Sequence, residues 1–238
     1  HSDSRRQRQM CIRDRYGGAV NVPIVVRGAS GAGTGAAAQH SQSLESWFCH
    51  VPGLKVVTPS NAQNAYDLLL SSFVDANPVI FMEHKLIYKV KENVTLNPIP
   101  KDSSYLGKAS IAQEGTDLTV VSYSNMVNVV KEAVSMDELQ NYSIEIVDLQ
   151  TVSPIDFETI KNSLIKTKKL LVCQEAPSNS SVGTTVVSKV VESDLFNVLE
   201  IAPKLVSGLH SPMPSAKHLE STVIPQKEDI LNAIQDML

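Results

Sequence analysis

The fold of this chain is decided by the stretch VPIVVRGASGAGTGAAAQHSQS, which runs from Val22 to Ser43. It opens with a β-branched run that enters at a proline and is closed by Gly28, a pattern that predicts a buried strand. The residues from Gly28 to Ala38 are rich in glycine and alanine and predict a loop. A strand that leads directly into such a loop is typical of α/β proteins, whose ligands bind at strand ends.

Strands and helices alternate through the rest of the chain. Before Lys89 we predict, in this order, a helix at Ser41–His50, a strand at Leu54–Thr58, a helix that is capped by Ser60, and a strand at Pro78–Met82. After Gly107 we predict four strands, at Asp117–Tyr123, Ser143–Leu149, Lys169–Cys173 and Lys204–Ser207. Four helices accompany them, at Asn125–Leu139, Asp156–Leu164, Val182–Val191 and Pro225–Leu238. This alternation predicts parallel sheets covered by helices.

The stretch between Lys89 and Gly107 separates the two halves. It contains prolines and asparagines without apolar periodicity, so we interpret residues 91–107 as a linker between a domain at 16–90 and a second domain at 108–238. The first domain looks cut short, because it has only about three predicted strands. Residues 1–15 hold five of the six arginines, and we interpret them as a non-native or disordered basic segment. A mitochondrial transit peptide is the weaker alternative.

The composition excludes several classes of protein. The formal net charge is −4 and the body has no basic stripe, which disfavours nucleic acid as a partner. No apolar run is long enough to cross a membrane. Cys11, Cys49 and Cys173 lack Cys-x-x-Cys spacing, so we expect neither a zinc site nor a secreted disulfide framework.

The glycine-rich loop is the strongest candidate site. Glycine lets the backbone approach a ligand closely, although the loop alone could equally be a flexible connection. The histidine that follows it, His40, is a candidate base with a surface histidine as the alternative. Glu83 and His84 close the third predicted strand, and we favour a surface pair there over a site.

Several motifs, taken in order, closely resemble the beta subunit of the decarboxylating component of the pyruvate dehydrogenase complex, within the transketolase-like superfamily. They are Ala38-Gln-His-Ser-Gln-Ser-Leu-Glu-Ser-Trp-Phe, His50-Val-Pro-Gly-Leu-Lys-Val-Val-Thr-Pro, Asn77-Pro-Val-Ile-Phe-Met-Glu-His, Glu114-Gly-Thr-Asp-Leu-Thr-Val-Val-Ser, Val147-Asp-Leu-Gln-Thr-Val-Ser-Pro-Ile-Asp, Gln174-Glu-Ala-Pro and Ser211-Pro-Met-Pro-Ser-Ala-Lys-His-Leu-Glu.

The resemblance implies an α/β fold, in which a truncated pyrimidine-binding parallel-sheet domain precedes a transketolase-type C-terminal α/β domain. It implies oxidative decarboxylation of pyruvate with thiamine diphosphate and reductive acetylation of lipoyl groups on an acyltransferase core. The partner would be an alpha subunit, which holds the diphosphate and Mg²⁺ in an alpha2-beta2 heterotetramer. A branched-chain 2-oxo-acid or acetoin dehydrogenase, or a non-catalytic assembly subunit, is the alternative. The location would be the cytoplasm in a bacterium or the mitochondrial matrix in a eukaryote.

The resemblance also assigns residues. His40 matches the histidine that faces the reactive end of the cofactor, with Gln39 beside it. A structural potassium ion is implied at the loop Ser72–Asn77, through Ser72, Phe73, Asp75 and Asn77; a simple turn is the alternative. The glutamate that activates the cofactor is expected to precede this region, so we expect the chain to be inactive by itself. Gln150 stands where the family usually has arginine.

Overall fold

A computed structural model describes residues 21–238, which form two sheets covered by helices. In the first sheet three strands run parallel and a fourth is antiparallel at one edge. Their order across the sheet is β1 (Val25–Ser30), β3 (Val79–His84), β2 (Lys55–Val57) and β7 (Thr151–Ser153).

The second sheet is parallel except for one edge strand. Its order is β4 (Ser110–Gln113), β6 (Ile144–Asp148), β5 (Leu118–Ser122), β8 (Leu170–Pro177) and β9 (Lys204–Gly208), with β4 antiparallel to β6. Every residue of β5 and β6 is buried, as expected for central strands that are covered on both faces.

The described helices are α1 (Ala37–His40), α2 (Glu45–Cys49), α3 (Ala62–Phe73), α4 (Met126–Val134), α5 (Phe157–Thr167), α6 (Val182–Val191), α7 (Lys217–Val223) and α8 (Lys227–Gln235). Short 3-10 turns occur at Lys85–Lys89, Asp137–Leu139 and Asp194–Val198. Helix α6 begins at a capping box between Ser181 and Thr184. Between residues 21 and 238, no helix combines the length and apolarity that crossing a membrane requires.

The α/β class is confirmed, but several predicted bounds are wrong. The first strand continues past Gly28 to Ser30, because each of its residues pairs with one of β3. The predicted helix from Ser41 to His50 is instead α2 alone, preceded by the single turn of α1. Asn61 caps α3 by accepting from the Asn64 amide at 2.8 Å, whereas Ser60 donates to Asp148 at 2.5 Å.

Among the described strands and helices, β4, β7, α1 and α7 were not predicted. The two strands have only four and three residues, too few for a periodic pattern to stand out. Both are edge strands that pair antiparallel with a neighbour from elsewhere in the chain. Tertiary pairing, rather than local propensity, therefore decides these segments.

One apolar core joins the two halves of the chain. Leu54 and Ile80 from the first half belong to the same buried cluster as Leu149 and Val152 from the second. The connection follows from β7, which belongs to the second half in sequence and completes the first sheet beside β2. The second half thus covers one edge of the first sheet.

The predicted linker, residues 91–107, contains no helix or strand and lies along α3. The Thr95 amide donates to Gln63 at 2.7 Å, and the Tyr66 hydroxyl donates to the carbonyl of Asn97 at 2.9 Å. At its end Leu106 is buried beside β2 and β3. This segment is therefore fastened to the first half over much of its length.

Candidate active site

The candidate site lies where β1 and β3 end side by side, with Ser30 paired to His84. His84 is buried rather than part of a surface pair, so that prediction is wrong; only Glu83 is partly exposed, paired with Arg27 at 2.6 Å. The chain turns away at Gly31, whose φ is +85°. A Cβ atom there would lie 2.0 Å from Nε2 of His84, which explains why glycine occupies the position.

Glu175, at the end of β8, is the centre of the hydrogen-bond network. Its Oε2 lies 2.7 Å from Nε2 of His84, and its Oε1 accepts from the Ala32 amide at 2.8 Å and the Ser43 hydroxyl at 2.9 Å. Burial favours the neutral acid, but these hydrogen bonds and the charge interaction with His84 outweigh it and lower the pKa of Glu175.

The network also defines the tautomer of His84. Its Nδ1 accepts from the Leu86 amide at 3.2 Å, while the ionised Glu175 can only accept at Nε2. Both contacts are met when the ring carries a hydrogen on Nε2, which then points at Oε2 of Glu175. The imidazole therefore acts as a bridge between β3 and β8.

A second carboxylate, Glu220 of α7, holds the middle of the loop. It is only 2% exposed and accepts from the amides of Gly33 at 2.8 Å and Gly35 at 3.0 Å. A Cβ atom at Gly35 would lie 3.1 Å from the carbonyl oxygen of Ser215. The close approach to the loop backbone that we assigned to a ligand is thus made by the protein itself.

Behind the network, the Tyr123 hydroxyl donates to Glu45 at 2.6 Å, and both residues are buried. Burial raises the pKa of Glu45 even though the tyrosine donates to it. Burial raises the pKa of Tyr123 well above its usual value, and the neighbouring Glu45 carboxylate raises it further. This pair fastens α2, the helix that follows His40, to the second half of the chain.

The predicted residues His40 and Gln39 are both exposed, at the end of α1. The backbone there is held: the His40 carbonyl accepts from Lys85, and the Gln42 side chain donates to the Ala38 carbonyl at 2.6 Å. Next to this segment opens a cavity of about 730 Å³, which is lined by Ala38, Ser41–Leu44, Ser46, Trp47, His50, Glu175–Pro177, Asn179, Ser180, Leu209–Met213 and Val223. The structure therefore presents an accessible imidazole on a fixed turn.

At the predicted potassium loop, Asp75 is buried and forms an ion pair with Lys55. Its Oδ1 accepts from the backbone and side-chain nitrogens of Asn77, at 2.7 and 2.8 Å. Burial opposes ionisation, but Lys55, Ser103 and Asn77 together lower the pKa of Asp75. Ser72 and Phe73 lie in the last turn of α3, where carbonyls lack partners within the helix. Over residues 21–238, no group of three or more His, Cys, Asp or Glu side chains is arranged to hold a metal ion.

Gln150 lies in the left-handed turn between β6 and β7, with φ +54°. Its side chain donates to the Ser110 hydroxyl at 2.6 Å, and its carbonyl accepts from the Thr58 amide at 2.8 Å. Neutral hydrogen bonds thus hold the turn that joins the two sheets.

Glu175 and Glu220 were not predicted as members of this site. The signal was present, since both lie in the quoted motifs Gln174-Glu-Ala-Pro and Ser211-Pro-Met-Pro-Ser-Ala-Lys-His-Leu-Glu. Neither motif shows on its own that its glutamate reaches the glycine-rich loop, 143 and 187 residues away in sequence.

The chain belongs to the transketolase family. Residues 107–230 match the family described as transketolase, C-terminal domain, and residues 3–91 match the transketolase pyrimidine binding domain. The second match begins within the basic segment.

Among its relatives, the chain is similar to proteins named pyruvate dehydrogenase E1 component subunit beta. It is 40% identical to the mitochondrial subunit beta-1 of Oryza sativa subsp. japonica over 219 residues, covering 91% of this chain and 58% of that protein. The human mitochondrial subunit is 40% identical over 223 residues, which cover 93% of this chain and 62% of that protein. The Rickettsia conorii subunit is 37% identical over 221 residues, covering 92% and 66%. The chain thus spans less than two thirds of the length of these relatives.

The fold is also found in a solved structure titled split gene transketolase, inactive beta4 tetramer. It superposes with a TM-score of 0.70 over 92% of this chain and 67% of that chain, at 19% sequence identity. This similarity supports the fold.

Proposed function

We propose that this chain is part of the beta subunit of a thiamine-diphosphate-dependent pyruvate dehydrogenase. The observation that carries the proposal is the exposed His40, which lies near the carboxyl ends of two parallel strands and follows a loop held by buried carboxylates. Ligands of α/β proteins bind at this edge. We infer the reaction from the relatives, which are named pyruvate dehydrogenase E1 component subunit beta.

The residues fit the reactive end of the cofactor better than its diphosphate. The amides of Ala32, Gly33 and Gly35 already donate to carboxylates of this chain and are not free to bind phosphate. We assign the diphosphate and Mg²⁺ to an alpha subunit in an alpha2-beta2 heterotetramer. Thiamine diphosphate, when bound, supplies the carbanion chemistry of 2-oxo-acid decarboxylation. His40 then donates or accepts a proton at its exposed ring, and Gln39 offers hydrogen bonds beside it.

Several further assignments belong to this proposal. Ser72, Phe73, Asp75 and Asn77 hold a structural potassium ion through backbone oxygens, since Ser72 and Phe73 lie at the end of α3, where carbonyls lack partners within the helix. Residues 16–90 form the pyrimidine-binding domain, 91–107 the linker and 108–238 the C-terminal domain. Residues 1–15 lie outside the described residues, and their assignment stays a prediction. The location is the mitochondrial matrix or the bacterial cytoplasm.

The test is reconstitution with an alpha subunit of the same class, using a complete beta subunit that carries this sequence. We expect release of CO₂ from pyruvate that depends on thiamine diphosphate, and acetylation of a lipoyl acyltransferase domain. Preference for branched-chain 2-oxo acids or acetoin would select the sister enzymes. A heterotetramer that forms without turning over any of these substrates would show an assembly subunit.

A further inference from the structure

The conformation of the glycine-rich loop is stabilised by residues outside the loop. Gly31, Gly33 and Gly35 all have positive φ, between +70° and +94°. Glycine has more conformational freedom to lose than any other residue, so such a loop has little intrinsic preference for one shape. The order must come from its contacts, and the amides of Ala32, Gly33 and Gly35 all donate to two carboxylates of the C-terminal half.

The two carboxylates divide the segment between them. One oxygen of Glu175 accepts from Ala32 at 2.8 Å and from Ser43 at 2.9 Å, and so ties together the two ends of the segment that carries His40. Glu220 accepts from Gly33 and Gly35 in the middle of the loop. Both carboxylates are largely buried, where a charge without partners is strongly unfavourable. The loop amides and the carboxylates therefore stabilise each other.

We propose that Glu220 and Glu175 are positioning residues of the active site, which act on the reaction through His40. The proposal rests on the proposed function for its catalytic consequence. Under this proposal the C-terminal domain contributes to catalysis indirectly. It holds the loop that precedes the catalytic imidazole of His40, and it offers no group of its own to the substrate.

The loop can be tested on the chain itself by hydrogen exchange of the amides from Ala32 to Gln42, comparing wild type with Glu220→Gln. The amide nitrogen of glutamine cannot accept, so one glycine amide loses its partner. A hydrogen bond to a charged group is strong enough that we expect exchange in the segment to rise about tenfold to a hundredfold. Unchanged exchange there would overturn the proposal.

Glu145→Gln is the matched control. Glu145 is also a buried carboxylate of the C-terminal half; it pairs with Lys166 and accepts from the amide of Gly115 at 3.3 Å. Its replacement should raise exchange near Gly115 and leave the segment that carries His40 unchanged. An equal rise in that segment for both variants would mean that general destabilisation, not positioning, causes the effect.

In the assembled enzyme, Glu220→Gln should lower kcat about tenfold or more with little change in KM for pyruvate, because misplacing a catalytic group by about an ångström has effects of this size. If Glu220 acts through His40, the variant should have no further effect on kcat when His40→Ala is already present. If the two substitutions instead lower kcat independently, so that their fold-changes multiply, the positioning role is overturned. If the wild-type assembly has no turnover, the proposed function fails, and the exchange experiment alone decides whether the carboxylates hold the loop.

Discussion

At the scale of single residues, the sequence indicated His40 but not the residues that support it. A histidine after a glycine-rich loop is a local pattern, and in the structure His40 is exposed at the end of α1. The burial of His84 depends on Glu175, 91 residues further along the chain, and no local pattern contains that contact. For this reason the strand-end pair was interpreted as a surface feature.

Glu175 allows a prediction about pH. Its pKa is lowered in the folded chain from its ordinary value of 4.5. A depressed pKa means that the ionised group stabilises the fold above pH 4.5, and that this stabilisation is lost as the pH falls through the folded pKa. Glu175→Gln should therefore lower the free energy of unfolding at pH 7 by about 1.5–3 kcal/mol.

Urea unfolding at pH 7 and at successively lower pH measures this difference. The gap between wild type and Glu175→Gln should narrow as the pH falls below 4.5. A gap that is the same at every pH would mean that the carboxylate charge does not stabilise the fold.

At the scale of elements, the predicted bounds agree with the observed bounds where the local sequence signals are strong. The predicted and observed bounds of α6 coincide at Val182–Val191, where Ser181 and Thr184 form a capping box before an apolar run. The short strands β4 and β7 lacked such signals and exist through pairing with distant strands. The first strand was predicted to end at Gly28 because glycine is a breaker, yet pairing with β3 carries the strand across it.

The loop after β1 offers a matched pair of glycine substitutions. Gly31→Ala places a methyl group on the His84 ring at a positive φ, so we expect a loss of about 2 kcal/mol or more in stability. Gly28→Ala, three positions earlier, meets nothing within 4 Å and should change stability by about 0.5 kcal/mol or less. Thermal unfolding of both variants tests this, and similar losses would show that the loop is not packed against His84.

At the scale of the whole molecule, the sequence predicted two α/β halves, but it did not predict how they join. The joining strand β7 is antiparallel and only three residues long. The buried cluster that contains Leu54 and Val152 has members from both halves. Long-range packing of this kind leaves no periodic signal in either half, although each half shows the alternation of its own fold.

The potassium assignment predicts a dependence of stability on the monovalent cation. An ion that binds only the folded state stabilises it by mass action, so replacing potassium with tetramethylammonium at equal ionic strength should lower the melting temperature. The Lys55–Asp75 pair and the Asn77 turn can also hold this loop without an ion. Identical melting curves in the two salts would contradict the potassium assignment, and only the interpretation as a simple turn would remain.

The assignment of this strand edge as the active site depends most directly on His40. In the assembled enzyme, His40→Ala should lower turnover of pyruvate by about 10²-fold, the scale of a lost acid–base group, and leave unfolding unchanged because the side chain is exposed. His218→Ala, which removes another exposed imidazole from α7, should keep wild-type turnover. Turnover of His40→Ala equal to that of His218→Ala would contradict the assignment of this strand edge as the active site.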